Sequence, residues 1–470
     1  MEFLLSGMTM QHITDHLLSI LKQFDRPGPR YTSYPTAPVF STKYTARRFE
    51  EDLIENNHNN SAPLSLYLHI PFCDTLCYFC GCTTIITKNR EKISEYIDVL
   101  KKEIDHKASL INKERKVVQM AWGGGTPSYL TPEEINGLSK FIRDRFIFSD
   151  DAEISVEIDP RELTFDHLQS FVAGGANRFS LGVQDFNDDV QKAVNRIQPE
   201  KLSQKVFNWS RELGIKSINV DLIYGLPLQT MESFKTTLEK VVELSPERIA
   251  VFNFAFVPWM KPHQNLLHQD QLPTAEEKLH LLQLTINTLI DAGYVYVGMD
   301  HFAKPTDELA REQKRKNLHR NFQGYSIKAG ADLFGFGMSA ISHFGTVYAQ
   351  NAKDLPSYYG SVRSGYFPTI LGYKMTRDDE LRKFVIMRLM CDLELDKREV
   401  ERRFGIVFDE YFSDALVKLK EFIPLDLLTL ESDRILVSDS GRFVLRNIAM
   451  CFDAYLSAMT KEKPIFSRTV

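Results

Sequence analysis

Six short apolar runs, each followed by a loop and then a longer stretch, most constrain what this chain can fold into. They cover residues 64–70, 117–122, 153–158, 178–183, 217–223 and 248–254. Between them, residues 93–111, 132–146 and 232–244 place apolar side chains at the 3.6-residue spacing of an amphipathic helix. Strands that alternate with helices pair in parallel, since a parallel neighbour is reached only by a long crossover, and the crossover is right-handed. The predicted class is therefore α/β. Six units without a clean seventh or eighth predict a partial (β/α)6 barrel rather than a closed eightfold one.

Barrels of parallel strands build their sites at the carboxyl ends of the strands, and the unusual residues of this chain fall there. A cysteine-rich loop follows the first run, and Gly123, Gly124, Gly125 and Thr126 follow the second. Glu157 and Asp159 end the third, Gln184 and Asp185 follow the fourth, Asp221 lies in the fifth, and Asn253 and Ala255 end the sixth. The triple glycine reads either as a tight turn or as a place where backbone amides approach a ligand. Glu157 and Asp221 close apolar strands, where a carboxylate needs hydrogen-bond donors. Gln184 and Arg196 are weaker signals taken singly, and His69 reads as a structural histidine.

The cysteine loop carries the sharpest chemistry. In LYLHIPFCDTLCYFCGCT, residues 66–83, Cys73, Cys77 and Cys80 form C-x3-C-x2-C, with Cys82 just beyond. Structural zinc prefers four ligands in paired spacing, and no second pair lies at a suitable interval. Disulfides between cysteines so close in sequence are strained. Three thiolates on one loop can instead hold three corners of an iron-sulfur cluster, with a fourth left open. This spacing after a strand resembles the signature of the radical S-adenosylmethionine (SAM) enzymes, in which SAM chelates the open iron.

At 470 residues the chain is too long for one ordinary core. We expect an N-terminal arm (1–62), a barrel core (63–300), a barrel extension with active-site loops (301–370) and a mainly helical, winged-helix-like C-terminal cap (371–470). The arm holds a helix over 13–24 and an extended proline- and glycine-rich segment. A helix over 275–290 precedes the apolar stretch 294–302 and the basic segment 311–325. Residues 330–342 read as a glycine-rich loop closing over a flat apolar ligand. The cap reads as helices over 378–391, 397–404 and 408–422, a hairpin over 427–437, and a last helix over 440–458. Its third helix carries Asp409, Glu410, Asp414 and Glu421 against Lys418 and Lys420, the wrong charge for a DNA-reading face. A net charge of −5 likewise argues against general polyanion binding. No run reaches the roughly 18 apolar residues of a membrane span, and residues 1–18 lack the pattern of a secretory leader. A cytoplasmic location is expected, with Cys391 and Cys451 as buried, inert thiols.

Longer motifs narrow the resemblance. GPRYTSYPT, LYLHIPFC-x3-CYFCGC, WGGGTP, EIDPRE, GVQDFN, NVDLIYGLP, GMDHFA, LHRNFQGY and RNIAMCFDAYL span nearly the whole chain. Together they resemble the oxygen-independent coproporphyrinogen III oxidase family of bacterial haem synthesis. The resemblance implies Cys73, Cys77 and Cys80 as ligands of a [4Fe-4S] cluster, with Cys82 a non-ligand. It implies one SAM held by Tyr67, Gly124 and Glu157, and a second lined by Phe79, Gly125, Thr126, Gln184, Arg196, Asp221, Ala255 and Ile341. Tyr67, Phe322 and Gln323 are implied at the catalytic centre, the last two beside the second SAM. The implied reaction converts two propionates of coproporphyrinogen III to vinyls, giving protoporphyrinogen IX. Partners would be that tetrapyrrole, an electron donor of flavodoxin or ferredoxin type and an electron acceptor, with the enzyme a monomer. A haem-carrying chaperone and an anaerobic haem-degrading enzyme are the related alternatives, though the chaperone branch lacks the fourth cysteine and the arm. Because the substrate bears four carboxylates, a local basic pocket is expected, with Arg30, Arg320 and Arg446 as candidates.

Overall fold

The computed structural model describes residues 12–58, 60–459 and 465–469. The reading of the chain's start as leaderless rests largely on residues 1–11, which lie outside the described residues. Six parallel strands stand side by side in chain order: β1 (Leu64–Ile70), β2 (Lys116–Gly124), β3 (Ile147–Ile158), β4 (Arg178–Gln184), β5 (Ser217–Tyr224) and β6 (Arg248–Asn253). All six expected runs are strands, and helices form the crossovers. The helix Arg90–Leu110 buries Ile93, Tyr96, Ile97, Leu100 and Ile104 on one face. Pro132–Arg143 opens with a capping box, in which Thr131 accepts from the Glu134 amide while the Glu134 carboxylate accepts from Thr131.

The sheet does not stop at these six. Beyond β6 it gains His301–Ala303 and Val295–Gly298, both antiparallel. On the other side Asp332–Phe336 lies parallel to β1, followed by antiparallel Ile341–Phe344, Val347–Asn351 and Thr369–Lys374. The result is twelve strands in one sheet, with no pairing between its two edges among the described residues. This corrects the reading of residues 330–342 as a covering loop, and the sheet also crosses the boundary expected at residue 300. The strand Asp332–Phe336 is buried along its whole length, so it shows no alternation to read. Its glycine serves close packing: a Cβ on Gly335 would lie 2.5 Å from the Ile341 carbonyl oxygen.

A buried ion pair braces this junction. Lys107 donates to Glu103 at 3.0 Å and to the Gly335 carbonyl at 2.7 Å, while Glu103 accepts from the Gly337 amide, Asn351 and Tyr358. Both oxygens of Glu103 accept two bonds each, and Lys107 adds the face of the Phe336 ring at 4.7 Å to its two acceptors, the kind of compensation that burying charge needs.

The helix Asp15–Phe24 turns Leu17, Leu18, Ile20, Leu21 and Phe24 inward, and Phe24 stacks on Phe422 of the C-terminal region at 4.9 Å. That region runs Arg377–Asp392, strand Glu394–Asp396, Lys397–Phe404, Phe408–Tyr411, Ser413–Leu419, then strands Leu428–Leu430 and Arg434–Val437. Its three strands form one small sheet, which is the winged-helix order. Two expected helices are broken. Residues 408–422 divide at Phe412, whose backbone leaves helical geometry. Residues 440–458 hold only the short turns Gly441–Val444 and Leu456–Ala458 around the helix Leu445–Met450. This segment bonds to the arm instead: the Ala454 backbone amide donates to the Tyr34 hydroxyl, and the Asn447 side-chain amide donates to the Phe24 carbonyl. Cys391 and Cys451 are buried free thiols.

Candidate active site

The cysteine loop leaves β1 and doubles back, with Phe72–Cys73 pairing Ile85–Ile86 in parallel. It is tied down from two sides. The Tyr78 amide donates to the Val194 carbonyl, and the Asn195 amide group to that of Leu76. From the segment after β6, Lys261 donates to the Cys82 carbonyl, while His263 and Gln264 reach those of Cys80 and Phe79. Cys77 is buried, Cys73 and Cys80 are half-buried, and Cys82 is accessible. Burial pushes the Cys73 thiol up to about 12, with Cys80, Asp159 and Cys77 adding to it as near neighbours. The Cys82 thiol bonds to Cys80 and eases it down to about 6, helped by Lys261 and His263. Cys80 and Cys77 are thus near neighbours of Cys73 on one loop, and thiolates are what an iron-sulfur cluster requires. Among the described residues no three His, Cys, Asp or Glu side chains are gathered closely enough to hold a single metal ion.

Two guanidinium groups reach the same thiol. Arg161 and Arg196 point N–H groups at the Cys77 sulfur, at 3.4 and 3.6 Å. Asp159 holds both, accepting from Arg161 at 2.7 Å and from Arg196 at 3.1 Å. Burial alone would raise Asp159, but Arg196 and Arg161 outweigh it and hold the carboxyl at about 2. Neither Asp159 nor Arg161 was among the expected site residues. Their signal lay in EIDPRE, where acid and base sit two residues apart.

The glycine loop packs against the root of the cysteine loop. The Gly125 amide donates to the Ile70 carbonyl and that of Thr126 to Phe72. Gly124 has φ +120, and a Cβ there would meet the Ile70 oxygen at 2.8 Å and the His69 ring at 2.9 Å. On Gly123 and Gly125 a Cβ would meet the Glu157 carboxylate and Pro71. In the structure, then, the missing side chains make room for the chain itself.

Glu157, near the end of β3, and Asp221, in β5, are neighbours. Glu157 is accessible on its surface yet deep in the barrel, and it accepts from the Gly124 amide at 3.2 Å. Burial, then the nearby Asp221, raises it to about 7. Asp221, raised by burial, accepts from Ser180 at 2.8 Å and Asn219 at 2.7 Å. Tyr67 on β1 reaches His69 at 3.2 Å, and His69 also meets the Thr83 carbonyl at 3.0 Å. Burial lowers His69 to about 4, leaving a neutral ring with structural partners. Gln184 takes a left-handed backbone (φ +70) at the bulge ending β4. Its amide and the Arg196 guanidinium both lie close over Gly182. Phe79 packs with Phe254 and Phe256, and the Ala255 carbonyl accepts from Gln264.

Ile341 and Phe322 share a separate apolar cluster with Phe40, Tyr348 and Met375. Ile341 is still near β1, because its backbone covers Gly335, which is paired with Tyr67. Gln323 follows Phe322 in the turn between His319–Asn321 and Gly324–Ser326, and both ends of its amide are buried without a partner. Of the three arginines expected to meet substrate, Arg446 is committed elsewhere. It donates to the carbonyls of Gly28, Pro29, Ser467 and Arg468. Arg30 pairs with Asp300. Arg320 donates to the Arg30 carbonyl and keeps one buried nitrogen unpaired.

The sequence pattern of the radical SAM superfamily matches residues 67–241, and that of the HemN C-terminal domain residues 375–444. An oxygen-independent coproporphyrinogen III oxidase of Salmonella typhimurium is 46% identical over 463 residues, 98% of this chain and 100% of that protein. One from Synechocystis sp. is 45% identical over 96% of this chain and 97% of its own length, and one from Helicobacter pylori 42% identical over 95% and 98%. Among solved structures, the coproporphyrinogen III oxidase (HemN) from Escherichia coli, described as a radical SAM enzyme, superposes with TM-score 0.90 at 45% identity, covering 95% of this chain and 100% of that one. The chain belongs to the oxygen-independent coproporphyrinogen III oxidases, radical SAM enzymes that work with a [4Fe-4S] cluster and SAM.

Proposed function

We propose that this enzyme oxidatively decarboxylates two propionates of coproporphyrinogen III to vinyl groups, giving protoporphyrinogen IX in anaerobic haem synthesis. What supports this reading is the set of neighbouring thiols on the loop after β1, with Glu157, Asp221 and Tyr67 close by. When bound, the cluster and SAM supply a 5′-deoxyadenosyl radical able to take hydrogen from an unactivated CH2, after which the substrate loses CO2 and passes one electron to an acceptor.

Cys73, Cys77 and Cys80 hold the cluster. Arg161 and Arg196 place N–H donors on the Cys77 sulfur. Tyr67, Gly124 and Glu157 would hold a SAM beside the cluster, with Glu157 offering a carboxylate to an ammonium or ribose hydroxyl. Phe79, Gly125, Thr126, Gln184, Arg196, Asp221, Ala255 and Ile341 take a second SAM. Phe322 and Gln323 lie against the reacting side chain, where the unpaired Gln323 amide can bond to a ligand. The apolar walls around Phe322 and Tyr348 exclude water that would otherwise compete for the radical. We also assign the working parts as the arm (1–62), barrel (63–300), extension (301–370) and cap (371–470), in a monomer of the cytoplasm reduced by a flavodoxin or ferredoxin.

Anaerobic reconstitution with iron and sulfide tests the ligand set. Alanine at Cys73, Cys77 or Cys80 should abolish the [4Fe-4S] signal, and adding SAM to the reduced wild type should change its paramagnetic spectrum. A spectrum indifferent to SAM would contradict the reading.

A further inference from the structure

We propose that Lys383, backed by His343 and His319, is the seat for one carboxylate of the tetrapyrrole substrate, beside Phe322. This rests on the function proposed above and adds a residue that the motifs do not mark. Lys383 projects from the helix Arg377–Asp392, and its amine lies 2.8 Å from His343 Nε2 and 5.1 Å from the centre of the Tyr348 ring. His343 stacks on Tyr348 at 4.4 Å. Phe322 meets the same ring edge-on at 6.1 Å, and Ile341 belongs to the same apolar cluster. The lysine therefore borders Phe322 and Ile341, residues placed by the proposed function at the catalytic centre and the second SAM.

What surrounds it is basic. His343 faces it from Ile341–Phe344, and His319 from His319–Asn321. Arg388, farther along its own helix, is committed to Asp392 and to the Leu318 carbonyl. The acid that influences it is Glu380, exposed and one turn back, while Asp379, also one turn back, is buried and committed to Thr376, Tyr373 and Tyr455. Among the described residues no carboxylate stands within ion-pair distance of Lys383. Other buried lysines differ: Lys107 has Glu103, and Lys397 has Asp409. A cation set deep without a counter-charge is costly, and burial lowers Lys383 to about 7. Lys383, His343 and His319 nevertheless all retain accessible surface, so a ligand can reach them. A carboxylate arriving there would accept from the ammonium and supply the missing charge. On the same hairpin as Phe322 and His319, the Gln323 amide and one Arg320 nitrogen are also buried without partners, as expected where polar groups of a ligand complete the wall.

The test uses the reconstituted holoenzyme and coproporphyrin III, the stable oxidised ring with the same four propionates, followed by fluorescence. Its tetramethyl ester, in the same detergent, is the uncharged control. Lys383→Met should weaken binding of the acid by at least about tenfold and leave the ester unchanged, and Lys383→Arg should restore most of the loss. With coproporphyrinogen III, the Met variant should raise KM far more than it lowers kcat. Calorimetry at pH 8 in buffers of different ionisation heat should show proton uptake on binding to the wild type and less to the Met variant. Equal affinity of wild type and Lys383→Met for the acid would overturn the inference. So would parallel loss of acid and ester, which would make Lys383 a packing residue. If the wild type itself neither binds coproporphyrin III nor converts coproporphyrinogen III, the proposed function fails, and this assignment with it.

Discussion

Asp159 shows how one side chain can organise a site without joining it. It fixes two arginines, and these in turn fix the electrostatics of Cys77. Its carboxyl is held near 2 when folded, below the roughly 3.9 of an unfolded chain. A depressed carboxylate contributes stability that is complete above the unfolded value and is lost as pH falls through the folded one. Asp159→Asn should therefore cost about 2 kcal/mol at pH 7, with the difference from wild type shrinking between about pH 4 and pH 2. Urea midpoints of both proteins across that range check it. The cysteines and the carboxylates at strand ends could be read from sequence because their types are unusual where they stand. Asp159, Cys77 and Arg196 could each be noted there, but not their connection, since a link between residues 77, 159 and 196 exists only once the sheet has brought the ends of β1, β3 and β4 together. Of the arginines offered to the substrate, Arg446 is the one whose donors the fold itself takes up. Arg446 spends its donors on backbone carbonyls, and carbonyls leave no mark in a sequence.

At the level of elements, the six barrel strands were legible because each is a short apolar run between helical segments. Asp332–Phe336 was not, because a strand buried on both faces and spaced with glycines has neither period. Its packing gives a sharp expectation. Gly335→Ala would set a methyl 2.5 Å from a backbone oxygen that has no rotamer to escape with. A loss of about 1–3 kcal/mol follows, read as a lowered unfolding midpoint, and Ile341 should be displaced. Removing the brace beneath it should cost more. Lys107→Met leaves Glu103 buried and uncompensated, at about 3–5 kcal/mol, and a loss under about 1 kcal/mol would show that the pair carries little.

Across the whole molecule, arm and C-terminal region close on one another. Arg446 grips Gly28 and Pro29 from one side and residues 467 and 468 from the other, while Phe24 stacks on Phe422. Arg446→Gln should loosen both ends together, so limited proteolysis should cut near residues 25–35 faster than in the wild type while the barrel resists. The expected last helix failed at this scale: its residues had helical spacing, but tertiary bonds to the arm outbid local propensity. The central claim is that the barrel holds SAM chemistry against propionate side chains. Mass analysis of coproporphyrinogen III incubated anaerobically with reconstituted enzyme, SAM and a reductant tests it most directly. The account predicts a product lighter by two CO2 and four hydrogens, with matching 5′-deoxyadenosine. Unchanged substrate, or a methylated tetrapyrrole, would contradict it.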